Sequence, residues 1–220
     1  MNVWATRDET SDGPLCVALR GAGLEVVHEP VIRRSVVDGW DVDAVSSLGP
    51  TDWLVLTSVF AIEVVASATQ SRTPCVAVVG DRSREAAREV GFRVELVASD
   101  GGAASLFAEL RERVSSGSVC YPRSSLAKVA PPWGDVKVRS PVLYETAPRV
   151  FDRSVVDRID VVAVTSPSAV RAIGRIDRPF ASIGPTTTIA LTELGIRPCV
   201  EASTPTFDAL AGAISGYSTE

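Results

Sequence analysis

The chain is 220 residues long, with 45% apolar and 22% charged residues, which is ordinary globular usage and sets aside disordered and fibrous classes. Its net charge is −5 with no Lys/Arg cluster, so nucleic acid and an anionic membrane are poor partners. No window approaches the roughly 18 uninterrupted apolar residues of a membrane span, the opening MNVWATRDET has no signal-peptide pattern, and four dispersed cysteines (Cys16, Cys75, Cys120 and Cys199) fit reduced cytosolic thiols better than zinc ligands or a disulfide framework.

Runs rich in Val, Ile and Leu predict strands near residues 3–6, 25–28, 53–56, 76–79, 94–97, 119–121, 136–144, 161–164, 181–183 and 198–200, with helices filling the gaps. The first strand leads to Arg7. The second ends on His28, the only histidine, whose apolar neighbours Val26 and Val27 favour a structural or surface role over catalysis. The third runs into Thr57-Ser58, the fourth into Gly80-Asp81-Arg82-Ser83, and the sixth towards Arg123. The last two loops of this kind are Thr165-Ser166-Pro167-Ser168 and Gly184-Pro185-Thr186-Thr187. Ligands of open parallel sheets gather beyond the carboxyl ends of strands, where helix starts offer free N–H groups to anions. A Ser or Thr at such a point is also a preferred helix cap, which accounts for any one loop without a ligand. The four loops together favour a shared ligand in a cleft between two lobes. Asp81 would repel an anion if it pointed inward, so it is expected to point outward. Neither G-x-x-x-x-G-K-[ST] nor a strand-following G-x-G-x-x-G is present, which leaves nucleotide binding a minor alternative.

The chain also repeats itself. DWLVLTSVFAIEVV (52–65) matches DVVAVTSPSAVRAI (160–173), with Thr165 lying 108 positions after Thr57. VAVVGDRSREAAREVGFRVEL (76–96) matches ASIGPTTTIALTELGIRPCV (181–200), and Gly184, Gly195 and Leu210 each lie 104 positions after Gly80, Gly91 and Leu106. More weakly, VWATR (3–7) resembles VCYPR (119–123), and EVVHEPV reaches Pro30 as KVRSPV reaches Pro141. Strands alternating with helices in a duplicated pattern predict an α/β protein of two flavodoxin-like, doubly wound parallel-sheet lobes with five strands each. Charge and proline mark candidate linkers at 32–36 and 139–148, so the chain is expected to cross between lobes twice.

These residues resemble the uroporphyrinogen-III synthase family. The resemblance rests on the ordered set VWATR, TSVFAI after DWLVL, AVVGDRSREAAREVGF, YPRSSL, SPVLYETAP, AVTSPSAVRAI and SIGPTTTIALTELGIRPCVEASTPT, which spans nearly the whole chain. It implies a first lobe of residues 1–31 plus 148–220, a second of 35–140, and a two-stranded linker at about 32–34 and 141–147, with one lobe a circular permutation of the other. The implied reaction converts hydroxymethylbilane to uroporphyrinogen III, with loss of water, inversion of the last pyrrole and ring closure. It uses no metal and no organic cofactor, and a cytoplasmic monomer is the expected form. The substrate expels its own hydroxyl group readily, so the enzyme mainly has to hold one conformation of a flexible chain.

The resemblance places the family's tyrosine at Tyr144, where a phenol can hydrogen-bond the departing hydroxyl but is a poor general base. The alternative is a tyrosine packed against a lobe. Arg7 and Arg123 occupy equivalent positions of the repeat and could each grip a carboxylate bidentately, although a structural ion pair or surface solvation explains either equally well. With Thr57, Ser58, Gly80, Ser83, Ser166, Ser168, Gly184, Thr186 and Thr187, they make up the expected substrate-binding set. Two departures from the family pattern stand out. Val59-Phe60 replace small or polar residues, and Pro131-Pro132-Trp133 is expected to shorten the helix after Arg123. The rival readings are a non-catalytic two-lobed sensor or binding protein and a flavodoxin-like electron carrier.

Overall fold

Val161, Val162, Ala163 and Val164 are each 0% exposed, which requires a strand covered on both faces, as central strands of parallel sheets are. The computed structural model describes residues 1–98, 102–130 and 133–217. In chain order the elements are β1 (Asn2–Ala5), α1 (Pro14–Gly21), β2 (Glu25–His28), β3 (Ile32–Val36), α2 (Asp43–Ser46), β4 (Trp53–Leu56), α3 (Val59–Ala68), β5 (Cys75–Val79) and α4 (Gly80–Glu89). They continue with β6 (Arg93–Ala98), α5 (Ala103–Arg113), β7 (Ser118–Cys120), β8 (Arg123–Ser124), β9 (Lys137–Arg139) and β10 (Val142–Pro148). After a 3-10 turn at Arg153–Arg158 come β11 (Val161–Val164), α6 (Pro167–Ile173), β12 (Phe180–Ser182), α7 (Pro185–Glu193), β13 (Val200–Glu201) and α8 (Phe207–Ser215).

The chain divides into two compact units, one of Met1–Arg34 with Thr146–Glu220 and one of Ser35–Glu145. In the first, β13-β12-β11-β1-β2 form a sheet whose pairs are all parallel. The helices α1 and α8 bury Leu15, Leu19, Leu210 and Ile214 with Val3 and Ala5 on one face. The helices α6 and α7 bury Val170, Ile173 and Leu191 with Trp4, Val162 and Val164 on the other. Alternate residues of β1 thus serve opposite cores, the two-residue period of a strand. Trp4 closes one of them, with its ring 5.1 Å from that of Phe151 and its indole N–H donated to the Glu29 carbonyl at 2.7 Å.

The second unit has the sheet β6-β5-β4-β7-β9, again all parallel. Residues of α3 and α4 pack on one face with Leu54 and Leu56, and α5 packs on the other through Leu106, Phe107 and Leu110 against Val55 and Ala77. Read from β2 through β1 to β13, the first sheet has the flavodoxin order. The second follows the same order with its segments permuted along the chain: β4, β5 and β6 stand for β11, β12 and β13, and β7 and β9 for β1 and β2. The matched pair Gly91 and Gly195 shows what the repeat preserves. Each has positive φ, +87° and +70°, and ends its helix through bonds back to the last turn, Gly91 N–H to Arg88 and Gly195 N–H to Thr192. Only glycine enters that conformation without strain.

Two expectations from sequence change. The single strand at 136–144 is two: β9 belongs to the five-stranded sheet, whereas β10 lies in a separate sheet of order β3-β10-β8. The break falls at Ser140-Pro141, where proline supplies no N–H to a ladder and the Pro141 carbonyl instead accepts from Arg123 N–H at 3.0 Å. No helix, short or otherwise, occurs among the described residues between β7 and β9. Pro131 and Pro132 themselves lie outside the described residues.

Candidate functional site

Parallel strands bring all their carboxyl ends to one edge, and the crevice beside that edge opens where the strand order reverses direction. In the second unit this switch point falls between β4 and β7. Thr57-Ser58 follow the one strand, and Tyr121-Pro122-Arg123 follow the other.

Ser58 is the N-cap of α3, and its Oγ accepts the Ala61 N–H at 3.1 Å. The same Oγ is 3.3 Å from the phenolic oxygen of Tyr144. Tyr144 reaches this point from β10, where it is in register with Ser124 of β8. Its ring is met edge-on by Phe60, with centroids 4.9 Å apart and planes at 78°. The Phe60 substitution noted in the sequence therefore orients the tyrosine. Tyr121 is only 2% exposed. Burial raises its pKa, outweighing the lowering effect of the nearby Thr57 side chain, so its phenol remains a donor at neutral pH. Arg123 donates Nη1 to the carbonyls of Ser124 and Ala127 at 3.0 and 2.9 Å, fixing the turn after β8. Its buried Nε has no hydrogen-bond partner among the described residues.

Gly80 opens α4 with φ +73° and no atom within 4 Å of where a Cβ would stand, so the helix-start backbone is uncovered there. Ser83, expected in a loop, lies inside α4 and is 6% exposed. The helix begins at Gly80, so the four residues read as a loop form its first turn. Its hydroxyl belongs to the packed side of the fold. Asp81 is exposed and pairs with Arg84 at 3.0 Å.

In the first unit the switch point lies between β1 and β11. Arg7, after β1, is ion-paired through Nε with Glu9 Oε2 at 3.1 Å, and its guanidinium sits 5.1 Å from the Phe207 ring centroid. The other Glu9 oxygen accepts the N–H groups of Leu15 and Cys16, both at 3.0 Å. A carboxylate of the chain itself therefore occupies the start of α1 and engages the arginine expected to grip substrate. Ser166 caps α6 by accepting the Ala169 N–H at 3.2 Å, and Ser168 is half-buried in the same helix. Gly184 is the N-cap of α7, its carbonyl accepting the N–H groups of Thr187 and Thr188 at 3.0 Å each. Thr186 is exposed at that start, whereas Thr187 is 3% exposed and faces inward packing rather than solvent. His28 pairs with Ala5 in the sheet, and its buried Nε2 has no partner among the described residues. Among the described residues no three His, Cys, Asp or Glu side chains gather closely enough to share a metal ion.

The structure thus joins Thr57, Ser58, Tyr144 and Arg123 around one switch point and leaves Arg7, Ser166, Gly184 and Thr186 at the other. Tyr121 and Glu9 were not picked out from sequence. Tyr121 carried a usable signal, since it follows β7 directly in VCYPR. Glu9 carried none, because its role depends on how the loop before α1 folds back.

A family model described as uroporphyrinogen-III synthase HemD matches residues 14–212. A uroporphyrinogen-III synthase from Synechococcus elongatus is 24% identical, over 99% of this chain and 96% of its own length. Two crystal structures share the fold at 16% identity, each match covering 95% of both chains: a mutant uroporphyrinogen III synthase from the extremely thermophilic bacterium Thermus thermophilus with a TM-score of 0.61, and the uroporphyrinogen-III synthetase of Helicobacter pylori with 0.60.

Proposed function

The chain belongs to the uroporphyrinogen-III synthase family, and from that premise we propose that it cyclises and dehydrates hydroxymethylbilane to uroporphyrinogen III in the cytosol. The reading as a non-catalytic sensor finds no support in the family match. Membership implies a lyase of tetrapyrrole synthesis, and the needs of such a reaction are here assigned to residues at the strand ends of each unit.

The chemistry asks little covalent work of the enzyme. The terminal pyrrole nitrogen pushes electrons towards the hydroxymethyl carbon, the C–O bond breaks, and the hydroxyl leaves as water once it takes a proton. The cation then closes on the substituted carbon of the last ring through a spiro intermediate, and the rearranged product loses a proton. Tyr144 is assigned the hydrogen bond to the departing hydroxyl. The helix starts at Ser58, Gly80, Ser166 and Gly184 are assigned the acetate and propionate groups, through backbone N–H donors that do not require a basic protein.

The observation that carries this reading is the phenol of Tyr144 held 3.3 Å from Ser58 Oγ at a helix start, where a leaving oxygen and a carboxylate can be received side by side. The test supplies freshly generated hydroxymethylbilane and separates the oxidised products by isomer. A predominance of type III is expected. Type I alone, formed at the uncatalysed rate, overturns the assignment.

A further inference from the structure

The duplication calls for a helix that does not occur among the described residues of the second unit. In the first unit the chain between β1 and β2 forms α1, whose Leu15, Cys16 and Leu19 are buried in one cluster with Leu210, Ala211 and Ile214 of α8. The helix α5 is the counterpart of α8, its first residue Ala103 lying 104 positions before Phe207. No counterpart of α1 covers it among the described residues between β7 and β9. Extended chain passes there instead, contributing Ala127, Ala130, Trp133 and Val136 to the core.

Extended chain is thinner than a helix and underfills the space. A cavity of about 580 Å³ remains against α5, its walls including Phe107, Ala108, Arg111, Tyr121, Lys128 and Val129. That volume is in the range that holds small molecules. Carbon dominates the lining, and Val129 is 62% exposed, an apolar side chain that an occupant would cover. Among the described residues of the lining, the charged groups are both cations. Lys128 is exposed, and the Arg111 guanidinium lies 5.5 Å from the Trp133 ring centroid. On a chain of net charge −5, an apolar recess with the exposed Lys128 ammonium at its edge selects an apolar body carrying a negative group.

We propose that the second unit binds a small apolar anion, an aromatic or alicyclic ring bearing a carboxylate or sulfonate, in the recess left by the missing helix beside α5. Tyr144 is not among the lining residues, although Tyr121, close to Tyr144, stands in the wall.

The probe is 8-anilinonaphthalene-1-sulfonate, titrated by fluorescence into the native full-length protein, with uncharged N-phenyl-1-naphthylamine as its control. One saturable site is expected, with Kd rising about fivefold or more for Lys128→Glu and the neutral analogue binding more weakly. Ala108→Trp, at an exposed helix position, fills the recess and should abolish binding with the isomer-forming turnover unchanged. Ala104→Leu, also exposed and one turn earlier, serves should the tryptophan variant not fold. Absence of saturable binding, or binding indifferent to Ala108→Trp, overturns the proposal. So does a folded Ala108→Trp that loses turnover, which would make the recess part of the substrate site, and so does a concentration-dependent dimer broken by the same change, which would assign it to a second copy. A wild type that binds the probe but forms no type III isomer refutes the proposed function and leaves this site standing.

Discussion

The phenolic oxygen of Tyr144 stands 3.3 Å from the Ser58 hydroxyl, which at the same time takes the Ala61 N–H at 3.1 Å. One serine therefore serves both a helix and a tyrosine. Replacement of Tyr144 by Phe keeps the ring and its edge contact with Phe60 and removes only the oxygen. Turnover number and kcat/KM should fall together, by about tenfold or more, with KM and the melting temperature close to wild type. That pattern marks an interaction made in the transition state. Unchanged kinetics would return Tyr144 to a packing role.

Ser58 and Ser166 hold equivalent places in the repeat, and each caps its helix through a single side-chain bond. Conversion of either to Ala should cost about 1 kcal/mol of stability, read as a small drop in melting temperature. Only Ser58→Ala should also lower kcat, because only Ser58 touches Tyr144. Ser168→Ala, inside α6, should change neither strongly. A severe activity loss there would contradict carboxylate binding by backbone donors.

The architecture was legible where apolar runs are continuous. The four valine-rich residues of β11 and their counterparts in β4 mark central strands, and the spacing between Gly80 and Gly184 exposes the duplication. The proline that splits β9 from β10 was visible too, but its consequence depends on which sheet each half joins, a non-local choice. At the site, the helix starts were readable because parallel strands must end there. The pairings were not. An ion pair was one of the readings open to Arg7, but its partner Glu9 emerges only once the loop folds back onto α1, and the contact between Tyr144 and Ser58 joins residues far apart in sequence. Short-range pattern carries no information about such meetings.

Gly13 is where that fold-back can be tested. A Cβ built there would lie 2.5 Å from Glu9 Cδ, so Gly13→Ala must push the carboxylate off the N–H groups of Leu15 and Cys16. Those bonds are charge-assisted and nearly buried, with 7% of the Glu9 side chain exposed. Their loss should cost about 1.5–3 kcal/mol, measurable as a lowered urea midpoint. Glu9→Gln, which keeps one acceptor oxygen, should cost less. Equal stability of Gly13→Ala and wild type would mean that the loop yields freely and that Glu9 does not fix α1.

Alkaline pH tests the cores themselves. Burial, aided at Cys16 by the neighbouring Glu9 carboxylate, pushes the thiols of Cys16 and Cys120 from the ordinary 9.0 up to about 12, and burial raises the Tyr121 phenol in the same direction. The folded state holds these protons more tightly than the unfolded chain does. Their contribution to stability is therefore complete below about pH 9 and declines as pH rises towards 12. The urea midpoint should fall across that window, and Cys120→Ala, less stable at pH 8 because it leaves a small cavity, should fall less steeply. At pH 8 iodoacetamide should leave both thiols unmodified in the native protein and alkylate them in urea, since only the accessible thiolate reacts. Identical pH slopes for wild type and Cys120→Ala would show that the Cys120 thiol is not protonated by burial as the packing around Leu54 and Leu143 requires.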